Sequence, residues 1–515
     1  MPIFVETRAF KASERVTSID VRQPPAANQR AAQGTLFLAV GRACSYFLAY
    51  IATTILARIL GPADYGIYGI IMSVLVWVEQ IGRHSFSLAA AKMIPEREND
   101  SAAIEQTAFL LNLILFFLLF VGLLATAPFI AELLQVPEGA GLFRIAALDL
   151  PIFGAYVLCL GVLQGRRDFA AMGVADSLYA AAKLVGVVLL AGLWLSVPGA
   201  LIVNIAASVA GLLFVISRVS IKIALPRKEL SAALAHLALP IALFTAVHQI
   251  TGVLDLWCLK MFNSAEDTRT VGFYVAARNM AMVPSFVLVT VSHVLLPSLS
   301  RALAIKDTNL SQHYIRQAVR FLWLLILPVT LLIGLTAEPL MTLLFSELYL
   351  EGAQYLRIVL ISALALAFVA LFVSALNARG EAWQSGAIAF LLLPAALVLN
   401  IFLVRRYGAI GAAWSNTVTA LLGALVFGIV AYKRFGSLFR LRTLLRTLIA
   451  ALVMGVLASQ VTVTGPLLLL CYAGHMGIYA LALFLSGELT REDLESLLYG
   501  IYPWRSFQSL QQTGH

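Results

Sequence analysis

Apolar stretches of about 20 to 28 residues, separated by short polar breaks, recur about fourteen times along this chain of 515 residues. Each is near or above the ~20 residues that cross ~30 Å of hydrocarbon as an α-helix. The spans fall at about 35–60, 65–92, 106–134, 142–163, 170–195, 199–219 and 234–262, then at 270–299, 318–345, 353–377, 383–404, 408–432, 443–462 and 465–486. Helix-stopping signals lie between them: Gly61-Pro62, Pro137, Pro198-Gly199, Gly380, Gly408 and Gly465-Pro466. The pattern predicts an all-α polytopic membrane protein with about fourteen transmembrane helices and no room for a soluble catalytic domain.

Composition agrees, with 61% apolar and 12% charged residues. The net charge of +9 is no nucleic-acid signature, because the basic residues sit at helix ends rather than on one face. Cys44, Cys159, Cys258 and Cys471 lie singly in apolar runs, without metal or disulfide spacing, and read as small buried hydrophobes. No cofactor is expected. Residues 1–34 carry Arg8, Lys11, Arg15, Arg22 and Arg30 with Pro24-Pro25 and no apolar core, which predicts a disordered tail rather than a signal peptide.

Charge tests the topology. With the N-terminus inside and the spans alternating, 25 basic residues fall in interior loops and tails and 7 in exterior loops. That asymmetry predicts an even number of spans with both termini on the cytoplasmic side. Arg405-Arg406 is the one exterior pair that fits poorly.

An internal repeat follows the same order. Gly66-Ile67-Tyr68 is echoed by Gly272-Phe273-Tyr274, and the Gln164–Asp168 loop by Asn377–Glu381. Gly199-Ala200 is echoed by Gly408-Ala409, and the flanking offsets are 206 and 209 residues. Six spans is an even number, so the halves share orientation about an axis along the membrane normal. The expected division is a polar tail 1–34, a six-helix lobe 35–219, a cytoplasmic linker 220–233 and a second six-helix lobe 234–433. Two further helices at 443–486 and a cytoplasmic tail 487–515 complete it. In that tail Thr490 caps an interfacial helix with Leu494, Leu497, Leu498 and Ile501 on one face.

Four basic residues remain inside the spans: Arg42, Arg83, Lys183 and Arg278. Each costs about 2.5–3.5 kcal/mol at a helix centre on insertion scales, so each needs a partner or a watered cavity. Arg42 and Arg83 lie 21 and 20 residues from the hairpin at position 63, at equal depth on neighbouring helices. Like charges there cannot neutralise each other, whereas an anion satisfies both. Two blander readings stand beside this: Glu79, four residues before Arg83, pairs with it, or the arginines snorkel to the interface. Asp255 and Arg278 lie 11 and 12 residues from the loop centre near 266 and can meet as a structural pair. Lys183 follows Asp176 by seven residues on one helical face, which leaves the same choice open. His84, His248 and His293 read either as a proton relay or as hydrogen-bonded helix contacts, and Asn204, Gln249, Asn279, Asn400 and Asn416 as interhelical hydrogen-bonders.

The stretch Leu56-Ala57-Arg58-Ile59-Leu60-Gly61-Pro62-Ala63-Asp64-Tyr65-Gly66-Ile67-Tyr68 resembles the signature between the first two spans of polysaccharide (O-antigen type) flippases. These belong to the multidrug/oligosaccharidyl-lipid/polysaccharide exporter superfamily. Val271-Gly272-Phe273-Tyr274 and Tyr407-Gly408-Ala409-Ile410-Gly411-Ala412-Ala413 are similar to that family's second half, and the likeness runs from about residue 35 to 433. The resemblance implies two six-helix lobes around a central cavity and alternating access. It implies an undecaprenyl-diphosphate-linked oligosaccharide carried from the inner to the outer leaflet for polysaccharide biosynthesis. Membrane lipids, a polysaccharide polymerase and glycosyltransferases are the implied partners. Arg42, Arg83, Lys183 and Arg278 are the positions that could line the cationic cavity typical of the family.

Three alternatives rank lower. Peptidoglycan-precursor flippases carry arginines in spans 1, 2 and 8, as here, but differ around the first hairpin. Drug-exporting relatives carry an acidic residue in span 1, and this span has none. A membrane glycan polymerase or ligase needs a sizeable exterior loop; here these loops are short, with no clustered carboxylates, His-Glu-x-x-His or Cys/His set. The expectation is a transporter, not an enzyme.

Overall fold

The computed structural model describes residues 25–136, 138–191, 196–219, 227–262, 267–285, 299–300, 302–303, 305, 307–460 and 465–489. All regular structure among these residues is helical. The first half comprises α1 (Pro25–Arg83), α2 (Phe86–Glu96), α3 (Ser101–Leu133), α4 (Gly139–Ala147), α5 (Asp149–Gly165), α6 (Phe169–Ala191) and α7 (Val197–Arg218). The second comprises α8 (Lys228–Thr251), α9 (Leu254–Phe262), α10 (Thr268–Ala281), α11 (Thr308–Leu335), α12 (Ala337–Phe345), α13 (Gly352–Ala378) and α14 (Ala382–Phe435). Two more, α15 (Leu441–Ser459) and α16 (Leu467–Leu485), follow.

Eleven stretches are long and apolar enough to cross a membrane. Two of them, Val40–Glu96 and Trp383–Phe435, each hold two expected spans, turned at Gly61 (φ 71°) and Gly408 (φ 56°). Only glycine adopts that left-handed backbone at little cost, so each hairpin is a single-residue turn between helices. Thirteen of the fourteen expected spans are thereby present, and the eighth, 270–299, is described only to residue 285. Large apolar side chains such as Leu243, Leu391, Leu452 and Leu470 point outward, as lipid-facing helices require.

The expected boundaries need four corrections. The second span breaks at His84-Ser85, the fourth at Leu148, the seventh at Gly252-Val253 and the ninth at Thr336. Helix α11, the ninth expected span, starts at Thr308, ten residues early, because the Asp307 carboxylate accepts the Leu310 N–H at 2.9 Å as an N-cap. Helix α1 starts at Pro25 inside the stretch expected to be a disordered tail; proline at the first position and Ala26, Ala27, Ala31 and Ala32 favour a helix there. The expected linker shortens because α8 begins at Lys228. The expected interfacial helix beyond residue 489 and His293 lie outside the described residues.

The largest core joins the two halves near Gly61, where Leu56, Tyr65 and Ile70 pack with Tyr274, Met341 and Tyr349. Hydrogen bonds cross there as well. Tyr349 donates to the Ala57 carbonyl at 2.7 Å, Asn279 to the Tyr65 hydroxyl at 2.7 Å and Tyr50 to the Met280 sulfur at 2.7 Å. Deeper in, Trp257 donates to Ser73 and Trp77 to the Ala246 carbonyl, both at 2.9 Å, with the two indoles edge to face. Arg405 stacks on Phe262 at 4.5 Å, which gives the poorly fitting exterior pair an aromatic support beside the Gly408 turn.

Candidate functional site

Small residues bring α1 and α6 into backbone contact. A Cβ on Gly41 would stand 2.6 Å from the Gly173 Cα, and the Ser177 hydroxyl donates to the Gly41 carbonyl at 3.0 Å. This close approach sets Arg42 beside Asp176, whose Oδ2 lies 3.9 Å from Arg42 Nε. The pair is loose and half-open, with side chains 36% and 23% exposed. Asp176 also accepts from the Tyr156 hydroxyl at 3.2 Å.

Arg83 ends α1 at the break in the second span, so its side chain leaves the helix at an interruption rather than mid-run. Its guanidinium carbon sits 5.1 Å from the Phe153 ring centre, and its Nε is buried without an acceptor. Arg83 makes no ion pair within 4 Å among the described residues, although Asp176 is near enough to feel its charge. Asp176 is therefore the internal anion within reach of both arginines. Glu79 and Arg83, paired in the blander reading, make no ion pair within 4 Å: Glu79 neighbours Asp149 and its Oε1 has no donor, though it too is near enough to feel the Arg83 charge.

Lys183 does not join Asp176 either. Its Nζ donates to Asn204 Oδ1 at 2.8 Å, and Asn204 Nδ2 donates to Asp149 Oδ2 at 2.9 Å. This is a second, buried chain running from α6 through α7 to α5. The stacked rings of Tyr156 and Tyr179, 5.8 Å apart, lie between the two groups: Tyr156 bonds Asp176 and Tyr179 approaches Asn204 at 3.5 Å.

Arg278 belongs to the other half. It donates to Asp255 at 3.0 Å and to the Gly252 carbonyl at 2.5 Å. Asp255 is 1% exposed and also accepts from Tyr274 at 2.6 Å and Asn416 at 3.0 Å. The break in the seventh span frees the Gly252 carbonyl that Arg278 takes, so the interrupted helix and the ion pair support each other. A buried pair with its remaining valences filled is a structural joint, and it leaves Arg278 little to offer an incoming ligand.

Of the expected cations, then, Arg42 is loosely paired with Asp176, Arg83 lies over Phe153 without an ion pair among the described residues, Lys183 is tied to Asn204, and Arg278 stands apart. Sequence reasoning missed Asp149, Tyr156 and Tyr179. Asp149 was visible as a lone carboxylate inside an apolar run; the tyrosines carried no signal separable from core packing. His84 hydrogen-bonds its own helix at Gln80 and His248 stacks on Phe244, both local contacts.

Comparison with known proteins agrees with this architecture. Residues 31–303 match the model of a family described as polysaccharide biosynthesis protein. The succinoglycan biosynthesis transport protein ExoT of Rhizobium meliloti (strain 1021) is 25% identical over 308 residues, which cover 59% of this chain and 60% of that relative. Among solved structures, the lipid II flippase MurJ in an inward closed conformation superposes with a TM-score of 0.73 at 15% identity, covering 89% of this chain and 99% of MurJ. An inward-facing multidrug resistance MATE family transporter of the MOP superfamily gives 0.66 at 16% identity, covering 76% and 95%. The structural likenesses speak for the fold. With the family model spanning more than half of its length, this multi-pass membrane chain belongs to the polysaccharide biosynthesis protein family.

Proposed function

We propose that the protein is a flippase that moves an undecaprenyl-diphosphate-linked oligosaccharide from the cytoplasmic to the outer leaflet by alternating access. The observation that carries this is the Arg42–Asp176–Arg83 arrangement. Arg42 holds the Asp176 carboxylate only loosely, at 3.9 Å, and the buried Nε of Arg83, within electrostatic reach of the same carboxylate, lacks an acceptor. A diphosphate offers more oxygens and more charge than a carboxylate, and guanidinium forks bind such oxygens in pairs. The headgroup would displace Asp176, which keeps its bond from Tyr156.

The excess of basic residues at the Arg166 end supports an orientation with both termini cytoplasmic. In that orientation the substrate meets Arg42 and Arg83 from the leaflet in which it is made. Relatives that are transporters, including one named for succinoglycan transport, support a transport role in place of catalysis. The same role makes a polysaccharide polymerase and glycosyltransferases natural functional partners.

A peptidoglycan precursor is the second reading, favoured by the superposition on MurJ over 99% of that chain. It presents the same lipid diphosphate, so the arginines do not separate the two. Complementation does. The chain is expressed in one strain depleted of its polysaccharide flippase and another depleted of its peptidoglycan-precursor flippase. Rescue of the first alone supports the proposal, and rescue of the second alone overturns it.

A further inference from the structure

A cavity of about 320 Å³ opens between the start of α11, the start of α15 and the segment just after α16. Arg316, Arg320, Arg440, Arg442 and Arg446 line it, and Glu488 is the sole carboxylate among its described lining residues. Glu488 is 7% exposed and already engaged, accepting from Arg320 at 3.0 Å, Thr443 at 2.9 Å and Arg446 at 3.5 Å. Arg440 and Arg442 are exposed and have no acidic partner among the described residues. Trp323 lines the same cavity, and its buried indole N–H has no acceptor. A buried donor without an acceptor, in a cavity with a surplus of positive charge, marks a place for an anionic oxygen.

The surface beside the cavity narrows the class of ligand. On α15, Leu445, Ile449, Leu452 and Val456 share one face and are 52%, 63%, 67% and 54% exposed. This apolar track runs from the arginines toward the middle of the helix. A free anion has no use for it, whereas acyl chains would lie along it. By the alternation of the spans the cavity lies at the same end as Arg166, where the apolar stretches of α11, α15 and α16 begin or end.

We infer that this cavity is a headgroup site for an anionic phospholipid, with the acyl chains lying along α15. The site is built from α11, α15 and the segment after α16, away from Arg42 and Arg83 on α1, so it stands or falls independently of the transport reading. It gives the two helices beyond the second half a role: they complete a lipid site against α11.

The test titrates short-chain phosphatidylglycerol, short-chain phosphatidylcholine and inorganic phosphate separately onto the full-length protein in neutral detergent, reading the thermal unfolding midpoint. Phosphatidylglycerol should raise the midpoint saturably, and the other two should not. The double variant Arg440→Gln, Arg442→Gln should bind phosphatidylglycerol about thirtyfold more weakly, given the usual worth of two juxtamembrane arginines. Trp323→Phe keeps the ring, removes the N–H and should weaken binding about tenfold. Equal responses to the two lipids overturn the inference, and a response to phosphate equal to that of phosphatidylglycerol makes this a free-anion site instead. If the double variant does not fold, Trp323→Phe decides, and unchanged affinity there overturns the inference.

Discussion

Gly66 and Gly272, the two glycines of the internal repeat, face each other across the junction of the halves. A Cβ on Gly66 would stand 2.8 Å from the Gly272 nitrogen and 2.3 Å from the Thr268 carbonyl oxygen, and one on Gly272 would stand 1.8 Å from the Pro62 carbonyl oxygen. Reciprocal contacts of this kind are expected of paired repeat positions that lie close to a twofold axis. The contact also packs the two halves together at the Gly61 end of the molecule.

Gly272→Ala should therefore pry this end open. The added methyl has backbone, not a flexible side chain, in its way, and overpacking of this kind costs about 1–3 kcal/mol. In a cysteine-free background Ala276→Cys, buried at 0% exposure, should be inert to an impermeant maleimide and become reactive once Gly272→Ala is added. Unchanged labelling would show that the contact does not hold the end shut.

Asp176→Asn removes the internal competitor for the arginines while keeping the side-chain shape. Binding of a short-chain isoprenyl diphosphate, followed by calorimetry, should tighten about tenfold, the size of one carboxylate–guanidinium interaction. Turnover should fall, because release then has no returning carboxylate to assist it. Arg42→Gln or Arg83→Gln should abolish both binding and transport, and lysine at either position should restore part of it.

Arg278→Gln tests the structural joint. Breaking a buried pair by removing one partner costs about 3–5 kcal/mol, so the unfolding midpoint in detergent should drop. Diphosphate affinity of the folded fraction should stay at the wild-type value. A loss of affinity without a loss of stability would move Arg278 into the substrate site.

Orientation is testable with two exposed positions. Glu138→Cys should react from outside the cell and Asp168→Cys only after permeabilisation. Glu138 is the better probe because the adjoining Gly139 is buried, with a Cβ there meeting Val136 at 2.8 Å. The reverse pattern would place the basic end outside.

The sequence by itself determined the spans, because a helix that crosses lipid must satisfy its backbone internally and carry its own apolar surface, and both are local properties. It determined the turns at Gly61 and Gly408, since a left-handed residue between two apolar runs admits little but glycine. It also exposed Arg42, Arg83, Lys183 and Arg278, since charge inside an apolar run is conspicuous wherever it stands.

Only the tertiary structure decided what those charges meet. Asp176 lies 134 positions from Arg42 in sequence, and its place beside it follows from the Gly41–Gly173 contact between α1 and α6. Helical spacing offered Glu79 to Arg83 and Asp176 to Lys183; neither ion pair forms, because Lys183 turns to Asn204 on another helix and Arg83 lies over the Phe153 ring. The interruptions at His84-Ser85, Leu148 and Gly252-Val253 were hidden for a related reason. Hydropathy averages over a span and does not register a single broken turn, and it is beside such turns that Arg83, Asp149 and Asp255 find their partners.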